Sequence, residues 1–322
     1  MSAPLLSVCL ITYNHGPFIR QALNSVAMQK VNFPMELVIA DDCSTDNTRE
    51  IVEGFIKNYS GTVHYIRQDR NIGPAANFIG LLSAAKGKYI AYIEGDDYWI
   101  DKYKLQRQVD FLEQNDAFSL CFHDIYTLQS GKRKRGANWD APDTSDLNFL
   151  LSNGNYISSL SVVFRNLPEI TGFLNKMRSA PFGDYLVYIV CAMKGKLKFF
   201  PERMGIYRVH KGGAWSEQDI DITYKKIMYT TGMLYNALPE SYKPLLQVQY
   251  LKTLEKFLLL QGFAGNSDVD ISPLLIPQMN IPESVIEYIR FTTQQKTKPA
   301  HYIKSVPAKI LMQALRDKLK NR

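Results

Sequence analysis

The feature that most constrains the fold is an alternation along the first 100 residues, where short runs rich in aliphatic and β-branched residues trade places with helical patterns. That rhythm builds βαβ units around a mainly parallel sheet. "LSVCLITY" reads as a first strand; Pro17 suits a first helical turn, and Ile19, Ala22, Leu23, Val26 and Ala27 fall on one face of the helix that follows. "MELVIADD" reads as a second strand, "CSTDNT" as a loop rich in capping residues, and Ile51, Val52, Phe55, Ile56 and Tyr59 as the apolar stripe of a second helix. "TVHYIRQ" is a third strand, "DRNIGPAANFIGLLSAA" a turn and helix, and "KYIAYIE" a fourth strand.

Further on, "DKYKLQRQVDFLEQN" predicts an amphipathic helix starting near Asp101, "AFSLCFHDIYTLQ" a strand, "SGKRKRG" a basic hairpin turn, and "YISSLSVVFR" another strand. "FGDYLVYIVCAMKG" predicts an apolar helix, and "KLKFFPERMGIYRVH" two short strands around a turn. From about Ser216 the pattern is helix upon helix, so the expected domains are an α/β unit over 1–215 and a helical region over 216–322 that could face an acceptor, a partner or a membrane, or mediate oligomers.

The chain has 322 residues, enough for one large domain or a domain with an appendage, and its 46% hydrophobic and 21% charged content is that of a globular protein rather than a disordered one. A net charge of +7 suggests an anionic partner, whether nucleotide, phospholipid surface or nucleic acid. The opening "MSAPLLSVCLITYN" lacks the charged start and cleavage site of a secretory signal. The densest apolar run, "FLLLQGF" at 257–263, is far short of a bilayer span. A chain that stays in the cytoplasm or rests on a membrane surface is therefore expected. Cys9, Cys43, Cys121 and Cys191 are scattered without paired metal-binding spacing and read as reduced thiols.

Against this basic background, Glu94-Gly95-Asp96-Asp97 places three acids within four residues at the carboxyl end of a strand. In open α/β sheets that edge is where ligands bind. Carboxylates are the ligands magnesium and manganese prefer, so the mutually repelling acids read as a dication seat, with a solvated turn as the plainer alternative. Asp41 and Asp42 stand at a second strand end on the same edge and could accept hydrogen bonds from a nucleoside. Asp46 or Asn47 could cap the next helix with Glu50 completing a capping box.

With these stretches in view, "LSVCLITYNHGPFIRQALNSVAMQ", "ELVIADDCSTDNT" and "NIGPAANFIGLLSAAKGKYIAYIEGDDYW", and more weakly "FGDYLV" and "GIYRVHKGGAWS", the chain resembles the inverting nucleotide-sugar glycosyltransferases of family 2, over about 1–215. The resemblance implies a GT-A fold, a mainly parallel mixed sheet flanked by helices, with a C-terminal helical appendage. It implies a nucleoside diphosphate sugar donor of UDP or dTDP type, a glycan or lipid-linked acceptor, Mg2+ or Mn2+ as cofactor, and no nucleic acid. Thr12, Tyr13 and Asn14 match the family's nucleotide-contacting turn, Asp42 its base-binding acid, and Asn77 the asparagine of its "NxG...RN" segment. Glu94 and Asp96 match the ends of its DxD motif around Gly95, with Asp96 as metal ligand and Asp97 a second contact.

Asp184 matches the family's catalytic base, and His210 a position that approaches metal or diphosphate. The chain departs from the pattern at Glu94, one methylene longer than Asp; at Ala76, where many relatives carry Arg, which leaves the diphosphate to Arg70 or Arg208; and at Gly183, where many carry a second acid. On residues alone, Asp184 could instead be a helix N-cap and His210 a structural histidine. A nucleotidyltransferase, or a nucleotide-sugar binding module without catalysis, are the alternatives. No Gly-rich, Lys/Arg-bearing phosphate loop follows the first strand, which disfavours the former.

Trp99 is expected to pack, and Trp215 to anchor its loop. Lys132, Arg133, Lys134 and Arg135 form a charge run readable as a solvated hairpin tip or as a contact for acidic lipid. Ile310, Leu311, Leu315 and Leu319 make an amphipathic terminal helix that could lie in a membrane interface at the cytoplasmic face or pack on its neighbours.

Overall fold

In the computed structural model the run LSVCLIT becomes β1 (Leu6–Thr12), and Leu6, Val8, Cys9 and Leu10 have no exposure, as a strand covered on both faces requires. The alternation then unfolds as expected: α1 (Ile19–Ala27), β2 (Met35–Asp41), α2 (Thr48–Ile56), β3 (Thr62–Arg67), α3 (Pro74–Ala84) and β4 (Tyr89–Glu94). α1 buries Ile19, Ala22, Leu23 and Val26 in the same apolar cluster as Val8, Leu10, Leu37, Ile39 and Ile93 of the sheet. Each fully buried aliphatic side chain of this kind stabilises the fold by about 1.5–3 kcal/mol. α3 opens on Pro74 after Gly73 at φ +85°, a left-handed position that favours glycine, followed by a residue whose missing N–H costs nothing in a first turn.

The structure describes residues 3–136, 141–213, 220–263, 271, 274–287 and 289. The chain divides into two compact units, one of Met1–Leu150 with Asn155–Glu217, the other of Leu151–Gly154 with Gln218–Arg322. In the first, a ten-stranded mixed sheet runs β3-β2-β1-β4 and then through β9 (Val163–Arg165), β6 (Phe118–Gln129), β10 (Lys196–Val209) and β5 (Tyr98–Trp99). β7 (Lys132–Arg135) pairs with β6, and β8 (Thr144–Ser145) with β10. β1 to β4 are mutually parallel, β9 is antiparallel to both its neighbours, and β6 and β10 are parallel. α4 (Lys104–Gln114), α5 (Leu147–Asn153), α6 (Glu169–Lys176) and α7 (Gly183–Lys194) connect these strands.

The chain winds outward from β1 through β2 to β3 and then returns to the other side of β1 as β4. Such a reversal opens a crevice beyond the carboxyl ends of the two strands that flank it. Register places Thr12 opposite Asp41 and Ile11 opposite Glu94, so the acidic strand ends stand at one level around that crevice.

Several local expectations are corrected. "KLKFFPERMGIYRVH" is one long strand rather than two around a turn; register shifts between Phe200 and Gly205 absorb Pro201, which cannot donate to a ladder and is tolerated at a bulge. In "SGKRKRG" the turn is Ser130–Gly131, both at positive φ, and the four cations form the exposed strand β7. "YISSLSVVFR" is strand only from Val163; before it Ser161 Oγ bonds to Ser158 O at 2.6 Å within a 3-10 turn, a local bond that competes with the ladder. α4 starts at Lys104 rather than near Asp101, because Asp101 Oδ1 accepts the Tyr103 N–H at 2.8 Å ahead of it.

The second unit holds α8 (Ile220–Ala237) and α9 (Lys243–Phe263), with Leu234, Leu246, Tyr250, Leu254 and Phe257 buried. No helix among the described residues is long and apolar enough to cross a membrane. Trp215 and the terminal stretch with Ile310, Leu311, Leu315 and Leu319 lie outside the described residues.

Beneath the acidic strand end, Lys104 is fully buried, donates to Gln108 Oε1 at 2.8 Å and sits 4.3 Å from the centre of the Trp99 ring. Burial pulls its ammonium down to about 7, against 10.5 for the ordinary group. Between these values the unfolded chain holds a proton that the native one has released, so this group makes stability rise with pH across that window and contributes its full penalty below it. Lys104→Met is expected to be more stable than the wild type at about pH 6 and to hold a clearly smaller advantage at about pH 9; urea unfolding at both values checks this, and a constant difference would contradict it.

Candidate active site

Two loops meet at the ends of β1 and β2. Thr12 closes β1 with 1% exposure, Tyr13 is 44% exposed on the rim, and Asn14 reverses the chain at φ +54°, a conformation asparagine tolerates. Asn14 Oδ1 accepts the Thr45 N–H at 2.8 Å, and its own N–H donates to Ser44 Oγ at 2.9 Å. Gly16 N–H donates to Asp46 Oδ2 at 2.8 Å; a Cβ there would lie 2.0 Å from Asn47 Oδ1, so only glycine allows the approach. Asp46 Oδ1 accepts the Thr48 N–H at 3.0 Å, whereas Asn47, the N-cap residue, makes no side-chain cap bond; the expected capping box is absent.

Asp41 and Asp42 are built into the walls. Asp41, fully buried, accepts Ser44 N–H at 2.8 Å and Ser44 Oγ at 2.6 Å on Oδ1, and Tyr65 Oη at 2.8 Å on Oδ2. Asp42, 2% exposed, accepts the backbone N–H groups of Ile72 at 2.7 Å and Gly73 at 3.0 Å, which ties the β2 end to the start of α3. Several donors per carboxylate make such burial tolerable. Asn77, 1% exposed, donates to Ala40 O at 3.2 Å and accepts from Gln68 Nε2 at 3.1 Å.

At the end of β4, Glu94, Asp96 and Asp97 bring one oxygen each within 4.8 Å of one another. Gly95 makes this possible: a Cβ would meet Thr12 Oγ1 and His15 Nδ1 at 2.8 Å and Ile19 Cδ1 at 2.9 Å. Glu94 Oε2 accepts the Ser159 hydroxyl at 2.8 Å. Asp97, 1% exposed, accepts the Arg208 N–H at 2.8 Å on Oδ1, while its buried Oδ2 has no donor. Burial, and next the neighbouring Asp96, push Glu94 up to about 8. Burial, Asp96 and Glu94 together push Asp97 well above the usual carboxylate range.

Arg208 lies between the rings of Tyr98 and Phe18, 4.7 and 5.0 Å from their centres. Its guanidinium donates to Asp96 O at 2.6 Å and to Gln21 Oε1, so it is committed to holding the acidic loop's backbone. Arg70, the other candidate for a diphosphate, is exposed. Trp99 packs as expected, 1% exposed, with Nε1–H on Leu160 O at 2.8 Å.

His210 Nδ1 faces Lys211 O at 2.9 Å, and its Nε2 faces Asp96 Oδ2 at 3.0 Å. A carbonyl oxygen only accepts, so Nδ1 donates, and the contact of Nε2 with a carboxylate oxygen needs a proton or a cation between them. His15, which sequence reasoning passed over, brings Nε2 to 3.8 Å from the same Asp96 oxygen; its buried Nδ1 has no hydrogen-bond partner, and burial holds the ring below the ordinary histidine value. The available signal was its place in the loop of Tyr13 and Asn14. A converging set of hard carboxylate oxygens with an imidazole beside them, one buried oxygen lacking any donor, fits a divalent cation such as Mg2+ or Mn2+.

Asp184, on α7, lies near enough to Glu94 for its charge to act there. It is the second residue of the helix, and Phe182 occupies the N-cap position without a side-chain bond, so the acid is not the cap. Its Oδ2 accepts Asn155 Nδ2 at 3.1 Å, and burial holds its carboxyl above the usual range. Gly183 lets the helix start pass Phe78, whose ring a Cβ would meet at 3.0 Å.

The model of glycosyl transferase family 2 matches residues 7–184. An uncharacterized protein of Mycobacterium tuberculosis is 35% identical over 211 residues, 65% of this chain and 60% of that protein, so the chain spans under two thirds of that relative's length. The abequosyltransferase RfbV of Salmonella typhimurium is 35% identical over 118 residues, 36% of this chain and 35% of its own. The structure of S. aureus TarS 1-349 in complex with UDP-GlcNAc superposes with a TM-score of 0.64 at 19% identity, covering 97% of this chain and 92% of the other. That likeness gives a GT-A fold, and the family match gives the membership: the chain belongs to glycosyl transferase family 2.

Proposed function

We propose that the chain is a metal-dependent, inverting transferase that moves a sugar from a UDP- or dTDP-type donor to a hydroxyl of a glycan or lipid-linked acceptor. The observation that carries this reading is the acidic cluster of Glu94, Asp96 and Asp97 at the sheet's reversal point, with the raised carboxyl of Asp184 within electrostatic reach of Glu94. The nucleoside would lie over Thr12, Tyr13 and Asn14 and along the edge formed by Asp41, Asp42 and Asn77. Glu94 would reach the ribose or sugar, and Asp96, with Asp97 and His210, would hold the cation. When bound, that cation would offset the negative charge developing on the departing diphosphate.

Asp184 removes the proton of the attacking hydroxyl on the opposite side of the anomeric carbon. Burial raises its basicity toward neutral pH, where a general base is most effective. Arg208 and Gly95 keep the acidic loop in place. The likeness to a UDP-GlcNAc complex supports the donor class, and the similarity to an abequosyltransferase supports sugar transfer; synthesis of a bacterial surface polysaccharide or other glycan is the role proposed. The chain would work at the cytoplasmic face of a membrane, with the exposed cations Lys132, Arg133, Lys134 and Arg135 toward acidic lipid and the helical region at 216–322 available to acceptor or partner.

A thermal-shift screen of nucleotide sugars with Mn2+ should single out the donor, since a ligand of the folded state raises apparent stability by mass action. With that donor, Asp184→Asn is expected to keep its affinity by calorimetry and to lose about 10²- to 10⁴-fold in transfer rate; near-normal turnover would overturn the role of Asp184. Asp96→Ala should abolish the metal-dependent part of donor binding. Because Asp97 is a carboxyl whose folded value is raised, it costs stability as pH rises, and Asp97→Asn keeps an acceptor for the Arg208 N–H. That variant should melt higher than the wild type in chelator at neutral pH and gain less from Mn2+; a lower melting temperature in chelator would contradict the repulsion.

A further inference from the structure

One short segment touches both carboxylate centres. Ser159 Oγ donates to Glu94 Oε2 at 2.8 Å, and four residues earlier Asn155 Nδ2 donates to Asp184 Oδ2 at 3.1 Å. The amide of Asn155 is not free to turn over: its Oδ1 accepts the Ile157 N–H at 3.1 Å, which leaves the NH2 group to face Asp184. Sequence reasoning read 156–165 as strand, with Asn155 just ahead of it, and nothing there marks a site.

The segment is in turn fixed to the core by buried donors. Trp99 Nε1–H reaches Leu160 O at 2.8 Å, and Gln108 Nε2 reaches Ser161 O at 2.9 Å and Cys121 O at 3.2 Å, with Lys104 holding the Gln108 oxygen. Leu160 has no exposure and lies against Gly205 of β10 so closely that a Cβ there would come within 2.5 Å of its Cδ1. A loop anchored at 160–161 and ending in two side chains, each on a different acid, sets the spacing between those acids.

We infer that Asn155 and Ser159 are positioning residues that hold Asp184 and Glu94 in register, coupling the base to the donor-binding acid. This rests on the reading of Asp184 as base and Glu94 as donor contact. Neither residue touches reacting atoms; Asn155 aims the base, and Ser159 aims the acid at the ribose or sugar. The two arms therefore fail differently when cut. Asn155→Ala should leave donor affinity within about twofold and lower kcat by about tenfold, the scale of one lost neutral hydrogen bond on a charged group. Ser159→Ala should weaken donor binding by a similar factor, and Ser159→Thr, which keeps the hydroxyl, should restore it.

A second readout separates aiming from simple destabilisation. The backbone N–H of Tyr185, the Asn155 bond and Asp184's own N–H favour the ionised form of Asp184, and Glu94, Tyr92 and Tyr188 are the titratable groups its charge reaches. Removing the Asn155 bond should move the acid limb of the kcat profile to higher pH, and Asn155→Asp, which adds a like charge, should move it further.

The experiment measures donor affinity by calorimetry, kcat against pH, and melting temperature for the wild type, Asn155→Ala, Asn155→Asp, Ser159→Ala, Ser159→Thr and Asp184→Asn. The ordered shift of the limb with unchanged donor affinity in the Asn155 variants, and rescue by threonine at 159, is the expected result. Acid limbs that coincide with the wild type, or losses that follow the melting temperature alone, overturn the positioning role. Full activity of Asp184→Asn would instead overturn the reading of the site on which it rests.

Discussion

Three carboxylates at the end of β4, close enough for one oxygen of each to lie within 4.8 Å of the others, are the constraint around which the rest of this unit is arranged. Two unit charges 4 Å apart repel by about 4 kcal/mol in the effective dielectric of a protein surface region. The chain meets that cost with neighbours rather than distance. The Arg208 backbone and guanidinium hold the loop, Ser159 donates to Glu94, and His210 faces Asp96. What they leave over is a buried Asp97 oxygen with no donor and two carboxyls held in the protonated direction. A residual repulsion of this kind, placed where the sheet reverses, is one that a bound cation would relieve.

The placement depends on small residues as much as on acids. Gly95 brings the acidic turn down onto Thr12 and His15, and Gly16 brings the β1 loop onto Asp46 and Asn47. Below them, Trp99 and Lys104 tie the strand end and its following helix to the 155–161 segment. Glu94 of β4 and Asp184 of α7 thus come from separate elements yet share one floor. Chemistry that needs a base and a leaving-group clamp at fixed separation requires such a floor.

Much of this was legible in the sequence. The period of the first four strands and their helices is long and regular, and Asp96 and Asp97 fall at a strand end, so their edge of the sheet follows from pattern; Asp184 joins them only through the family resemblance. What escaped had no local signature. The bulged β10 looks like two strands because Pro201 is a turn residue unless a partner strand tolerates it. Ser159 and Asn155 acquire meaning only when tertiary contacts bring Glu94 and Asp184 to them. Asp41 and Asp42 read as free acceptors, yet nearby donors from Ser44, Tyr65, Ile72 and Gly73 engage them as wall elements. Arg208, expected at a phosphate, also lies between two aromatic rings and holds the acidic loop's backbone, a role its sequence position does not announce.

The central claim is that the crowded acids are a seat for one dication that a nucleoside diphosphate completes. Counting free Mn2+ by electron paramagnetic resonance, as the ion is added to the protein with UDP or dTDP and without, tests it most directly. The account predicts uptake of about one ion per chain, tightened by the nucleotide, because carboxylates hold the ion while phosphates fill its remaining positions. A free-ion signal that rises in proportion to added Mn2+, with nucleotide or without, would contradict it.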